Sequence, residues 1–146
     1  MIVTLMIGVS GSGKSTYVRK NLPGNTVISA DHYFTGPDGV YRFDPRKLGE
    51  AHADALRKYL AALHRGLDIV VDNTNTNLVN LAPYVALAEM VGATVKFIHL
   101  DVDPVVAAQR NLHMVPADTV AKMALQIASS FAQWPPHWPR PLTIKA

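Results

Sequence analysis

The chain has no cysteine. Disulfide cross-links and thiolate metal sites are therefore excluded. No apolar run approaches the roughly 20 residues that a membrane-spanning helix requires. The amino terminus, Met1-Ile2-Val3-Thr4, has no basic n-region, and its apolar run leads into a glycine-rich loop, so a secretory signal is not expected. These absences suit a cytoplasmic protein. Internal repeats and linker-like stretches are also missing, so one domain is expected over residues 1–146, with a Pro/Trp-rich tail from 135 to 146. Nor is there a large excess of either charge: fourteen Lys and Arg against eleven Asp and Glu leave a mildly basic chain. That balance favours an anionic substrate without singling out nucleic acid.

What is present is concentrated in Gly8-Val9-Ser10-Gly11-Ser12-Gly13-Lys14-Ser15. This is G-x-x-x-x-G-K-[ST], placed after an apolar strand-like run and before a helix-compatible segment, the context the motif requires. The glycines let backbone N–H groups turn inward around an anion. The positive end of the following helix faces the same phosphates. Lys14 is expected to bridge the β- and γ-phosphates, and the Ser15 hydroxyl to hold Mg²⁺. The motif implies a bound nucleoside triphosphate.

Apolar runs then alternate with helical patterns. The predicted strands are Ile2–Ile7, Thr26–Ser29, Leu67–Asp72 and Ala93–Leu100. Helices are expected from about Gly13 to Asn21, from the Asp44-Pro45 cap to near Gly66, and from Leu78 to Val91. Two more follow, one from Asp103-Pro104 to about Leu112 and one opened by Pro116. Pro37-Asp38-Gly39 is a turn signal inside an insertion that begins at Phe34. The tail Trp134–Pro141 cannot be helical and is expected to pack its tryptophans on the body. Repeated β–α alternation predicts a three-layer α/β/α fold with a central parallel sheet of four to five strands.

In open α/β sheets ligands bind beyond the carboxyl ends of the strands. Asp31, Asp72 and Asp101 fall there. Asp72 is the natural Mg²⁺ partner. Asn73 follows it, where a hydrolytic motor commonly has a glutamate, so transfer to an acceptor is favoured over hydrolysis. Asp31 is the candidate to accept the acceptor hydroxyl's proton, against the plainer reading of a turn cap. Arg110 is the candidate cation for the transferring phosphoryl group, with His113 beside it on a lid-like element.

Together these stretches resemble the P-loop kinases related to the kinase domain of phage polynucleotide 5′-hydroxyl kinase, a group that takes in zeta-toxin-like kinases. The likeness rests on Gly8–Thr16, Ser29-Ala30-Asp31-His32-Tyr33, Tyr41-Arg42-Phe43-Asp44 and Ala51-His52. It continues through Val71-Asp72-Asn73-Thr74-Asn75, Tyr84 and Arg110-Asn111-Leu112-His113-Met114-Val115-Pro116, about residues 1–130 in all. The resemblance implies transfer of the ATP γ-phosphate to a hydroxyl, with Asp31 as general base and Asp72 beside it. It implies a catalytic set of Lys14, Asp31, Asp72 and Arg110, with Ser15 and Asp72 on Mg²⁺. Nucleotide contacts are expected from Gly8, Ser10, Gly11, Ser12, Gly13, Lys14, Ser15, Thr16, Arg110 and His113. Acceptor contacts are expected from Asp31, Tyr33, Arg42, Asn73 and Asn75. Phe34 stands near the place of an arginine that grips the acceptor's phosphate in the phage enzyme, and the lid is cut short to His113.

The leading expectation is a kinase of a DNA or RNA 5′-hydroxyl, with nucleic acid as partner. The basic cluster Arg42, Arg46 and Lys47 favours a phosphate-bearing acceptor. A kinase of a hydroxymethylated base in DNA, flipped out to reach the loop, is a close alternative. A small-metabolite kinase is another. A non-catalytic ATP-binding module would need neither Asp31 nor Arg110.

Overall fold

β1 (Ile2–Ile7) runs through the middle of one parallel sheet with the order β2-β3-β1-β4-β5. It pairs with β3 (Ile69–Val71) on one side and β4 (Thr94–Asp101) on the other. β2 (Thr26–Ile28) lies outside β3, and β5 (Leu142–Lys145) outside β4. The structure is a computed structural model and describes residues 1–145. Among the described residues no helix is long and apolar enough to cross a membrane.

Both faces of the sheet are covered, which is why β1 and β3 are almost continuously apolar. Val3, Leu5 and Ile7 share the larger core with α2 (Leu48–His64), α3 (Leu78–Met90) and α5 (Ala117–Ala132). Met6, Val70, Ile98 and Leu100 form a smaller core on the opposite face, closed by Val18 of α1 (Lys14–Asn21). The three expected layers are present, with most helices on one side.

Several elements depart from the sequence-based expectation. β2 stops at Ile28 because the Ser29 hydroxyl accepts from Asp31 N at 3.2 Å and starts a 3₁₀ turn, Ala30–Phe34. Asp44 caps as expected, accepting from Arg46 N at 3.0 Å, but Pro45–Lys47 is a 3₁₀ turn and α2 begins only at Leu48. Pro83 sits six residues into α3, deeper than a first turn. The carbonyl it deprives of a helical donor is that of Val79, a residue 80 % exposed, so the loss falls on the solvent side. α4 (Pro104–Gln109) ends before Arg110 and does not reach Leu112. β5 was not foreseen in the tail. The tail's Trp134 and Trp138 do pack on the body, both against Phe97, with ring centroids 4.8 and 5.7 Å away.

Candidate active site

The order of the sheet sets the site. β1 and β3 are neighbours, so the glycine loop after Ile7 and the Asp72–Thr76 segment after Val71 leave the sheet side by side. Gly8 N donates to Thr74 O at 3.1 Å and ties the two together. Ser15, at the start of α1, donates through Oγ to Asp72 Oδ2 at 2.7 Å. Lys14 folds back into the loop, and its Nζ donates to the carbonyls of Gly8 and Val9, each at 3.0 Å. Burial holds its pKa below the ordinary 10.5, opposed by the charges of Asp72 and Asp31. A buried cation poised between two backbone carbonyls and two carboxylates is a ready partner for phosphate oxygens.

Gly11 determines how α4 meets the loop. Its φ is +83°, and a Cβ there would stand 2.0 Å from Ala107 O. Only glycine lets α4 approach this closely. That approach carries Arg110, the residue capping α4, to the rim of a cleft of about 340 Å³. Gly11, Gly13, Lys14, Ser15 and Thr16 of the loop and α1 line it together with Asp31, Asp72, Asn73, Arg110 and His113. Ser10 also lines it, while its hydroxyl turns to Met123 Sδ at 3.7 Å. Gly8 and Ser12 support the loop from beneath; a Cβ on Gly8 would come within 2.6 Å of Ser12 Oγ.

Asp31 is held at the cleft by backbone on both sides of its turn. Asn73 Oδ1 accepts from Ala30 N at 2.8 Å, and Ser29 Oγ accepts from Asp31 N at 3.2 Å. Its carboxylate is about half exposed and lines the same cleft as Lys14 and Arg110. The Tyr41 hydroxyl donates to Asp31 Oδ1 at 3.5 Å, and His113 Nε2 lies 3.9 Å from Oδ2. Burial first, then the charge and hydrogen bond of Asp31, push the Tyr41 hydroxyl up to about 12, so it remains a donor. Ser15 and Asp72 together present a hydroxyl and a carboxylate oxygen, the oxygen-only donor set Mg²⁺ uses beside phosphates and water.

Other expected residues lie elsewhere. Asn75 is buried, and its Nδ2 donates to Met6 O at 2.7 Å, so it braces β1 and does not face the cleft. Asn73 borders the cleft, but its carbonyl oxygen is spent on Ala30 N. Tyr33 bonds the Glu50 carboxylate and Arg42 is clamped by Asp38 at 2.7 and 3.2 Å; both line a neighbouring hollow. Asp101 lies at the end of β4 beside a separate hollow near His99. Tyr41 and Asn111 were not singled out as site residues. Asn111 shapes the lid, donating to Val115 O at 2.9 Å and accepting from His113 N at 3.2 Å. The Tyr41-x-Phe43 alternation after a Pro-Asp-Gly turn was the available signal for the former.

The AAA_33 family model, described as an AAA domain, matches residues 3–124, most of the chain and all of this site. The chain belongs to this family. It is 33 % identical over 131 residues to human NEDD4-binding protein 2, a match over 84 % of this chain that spans only 7 % of that protein. Among solved structures it is similar to a chain of the Pnkp1/Rnl/Hen1 RNA repair complex, with a TM-score of 0.77, 18 % identity, and coverage of 92 % of this chain and 46 % of that one. A putative kinase from Chloroflexus aurantiacus gives 0.69 at 15 % identity over 99 % and 87 % of the two chains. The APS kinase CysC of Mycobacterium tuberculosis gives 0.58 at 18 % identity over 98 % and 87 %. Together with the family match, these likenesses fix the fold as that of P-loop kinases.

Proposed function

We propose that this P-loop kinase domain transfers the γ-phosphate of ATP to a 5′-hydroxyl of DNA or RNA. The observation that supports the reading is that Asp31, Lys14 and Arg110 line one cleft, with the Asp31 charge acting on Lys14. A carboxylate facing a phosphate-binding loop repels substrate phosphate unless it has a proton to accept or a metal to hold. The hydrogen bond between Asp72 and Ser15 supports giving Asp72 the metal role, which leaves Asp31 for the acceptor.

In this reading the acceptor oxygen attacks the γ-phosphorus in line, and the bond from that phosphorus to the β,γ-bridging oxygen breaks, releasing ADP. Asp31 receives the acceptor's proton, late in a loose transition state. Lys14 and Arg110 neutralise charge as it spreads over the transferring group and the leaving oxygen. Mg²⁺, held through Ser15 and Asp72, would supply further charge neutralisation at the phosphates. Support for a nucleic acid acceptor comes from the neighbouring Lys47 and the exposed Arg46 and from the fold's likeness to a component of an RNA repair complex.

The test is a label-transfer screen with γ-labelled ATP against 5′-hydroxyl DNA and RNA oligonucleotides. 5′-Phosphorylated DNA bearing hydroxymethylated bases and a panel of nucleosides and sugars complete it. Label on the 5′-hydroxyl ends, falling as salt rises, is the expected result. Label confined to the small acceptors or to the modified bases replaces the acceptor assignment.

A further inference from the structure

Residues 34–43 form a short hairpin over the acceptor side of the cleft. Arg42 N donates to Phe34 O at 2.9 Å, Gly36 N to Val40 O at 3.1 Å, and Thr35 bridges Tyr41 antiparallel. Tyr41 and Phe43 are two apart in extended chain and so share a face. Their rings are nearly parallel, 11° apart, with centroids separated by 6.5 Å. Buried Phe34 supports both edge-on, at 6.2 and 5.1 Å. Phe43 is nevertheless 52 % exposed. Arg42 lines the same hollow as Phe43 and is engaged by Asp38.

One end of this aromatic face touches the reacting carboxylate, since the Tyr41 hydroxyl reaches Asp31 Oδ1. The other end opens into a hollow of about 640 Å³ lined by Phe43, Tyr33, Arg46 and Lys47. Among the described residues Lys47 has no carboxylate within ion-pair distance, while Arg46 donates to both Asp44 carboxylate oxygens at 3.1 Å with its side chain 88 % exposed. His113 packs its ring 4.0 Å from that of Tyr41, so the open part of the face is Phe43. An exposed aromatic ring, fixed from beneath and flanked by cations, fits a ligand that alternates flat rings with phosphates. A sugar or another small polyol has no planar aromatic ring to stack on Phe43 and no second phosphate for Lys47.

We propose that the Tyr41–Phe43 face is a stacking subsite for a nucleobase near the 5′ end of a single-stranded acceptor, with Arg46 and Lys47 receiving a phosphate further along the strand. This rests on the nucleic acid reading above and narrows it to unpaired ends, because a base must leave its partner to lie on Phe43. Stacking gives affinity without sequence preference, since every base has a flat face.

The test compares wild type, Phe43→Ala, Phe43→Leu and Phe43→Trp on 5′-hydroxyl oligonucleotides, intact or abasic at the first, second or third nucleotide. Phe43→Ala should raise KM for the intact strand about 10- to 100-fold, the usual loss per stacked base, with KM for ATP unchanged. Phe43→Leu, which keeps the apolar bulk and guards against misfolding, should lose most of the same affinity, and Phe43→Trp should restore it. At one abasic position the wild type should fall to the level of Phe43→Ala, and the substitution should have no further effect. Lys47→Ala should flatten the salt dependence of KM. Efficient phosphorylation of oligonucleotides with no response to Phe43, or an equal response on every abasic strand, overturns the subsite and leaves the kinase reading intact. Failure of the wild type to phosphorylate any oligonucleotide removes the acceptor assignment and the subsite with it.

Discussion

The Ser15 hydroxyl donates to Asp72 Oδ2 at 2.7 Å, joining two residues 57 positions apart in sequence. This bond exists because β1 and β3 are adjacent, and it joins the glycine loop's helix to the carboxylate proposed to hold the metal. Asp72→Asn should therefore raise the Mg²⁺ concentration needed for half-maximal turnover and be partly rescued by excess metal. Asp31→Asn should show no such rescue. If Asp31→Asn is the one that extra Mg²⁺ restores, the two carboxylates have exchanged roles.

Lys14 carries a second, opposite effect. Lys14→Met should nearly abolish turnover, since electrostatic stabilisation of the transferring group is usually the largest catalytic contribution. Burial depresses the pKa of Lys14 below 10.5, so in the nucleotide-free protein its charge lowers stability. The sign follows from linkage: the unfolded chain binds this proton more tightly than the folded one, so the penalty is full below the folded pKa and disappears as pH rises toward 10.5. Thermal melts should show wild type gaining on Lys14→Met as pH rises through that window. A Tm difference that is flat with pH contradicts the burial argument.

Gly11→Ala is expected to damage the site without touching any charged group. A Cβ 2.0 Å from Ala107 O, at a φ of +83°, must push α4 outward and move Arg110 with it. Turnover should fall at least about 10-fold, with a stability loss of about 1–3 kcal/mol. Steady-state kinetics and urea titration check both; unchanged kinetics would mean that the placement of α4 does not matter for transfer.

Arg110→Ala should lower kcat more than it weakens ATP binding, because its contact strengthens as charge spreads. Nucleotide affinity by calorimetry and turnover by label transfer separate the two. An unchanged kcat would make Arg110 a solvent-facing cap of α4.

Tyr41 offers a spectroscopic check on the geometry around Asp31. Its hydroxyl is pushed up to about 12 by burial, by the Asp31 charge and by the hydrogen bond to Asp31. Asp31→Asn removes the charge, so the phenolate should appear at lower pH in a difference titration against wild type. Superimposable curves would mean that the two groups do not meet.

Much of this site was legible because its signals are local. The loop from Gly8 to Ser15, its strand and its helix follow from consecutive residues, and the β1–β3 adjacency that delivers Asp72 follows from how such loops are built. What the sequence hid depends on long-range pairing. Asn75 looked like a polar cleft residue until its left-handed φ of 49° and its bond to Met6 O turned it inward. Arg42 looked like a free cation until the Pro37–Gly39 turn brought Asp38 against it. β5 is a four-residue edge strand of mixed polarity after a proline-rich stretch, and only its register against Ile98–Asp101 makes it a strand.

The central claim is that Asp31 takes the proton of an acceptor hydroxyl in the cleft it shares with Lys14. Its most direct test is the rate of label transfer from saturating γ-labelled ATP to a 5′-hydroxyl oligonucleotide, by wild type and by Asp31→Asn. Transfer slowed about 10²- to 10⁴-fold at unchanged ATP affinity is the predicted result. Transfer at the wild-type rate by a folded Asp31→Asn protein would contradict it.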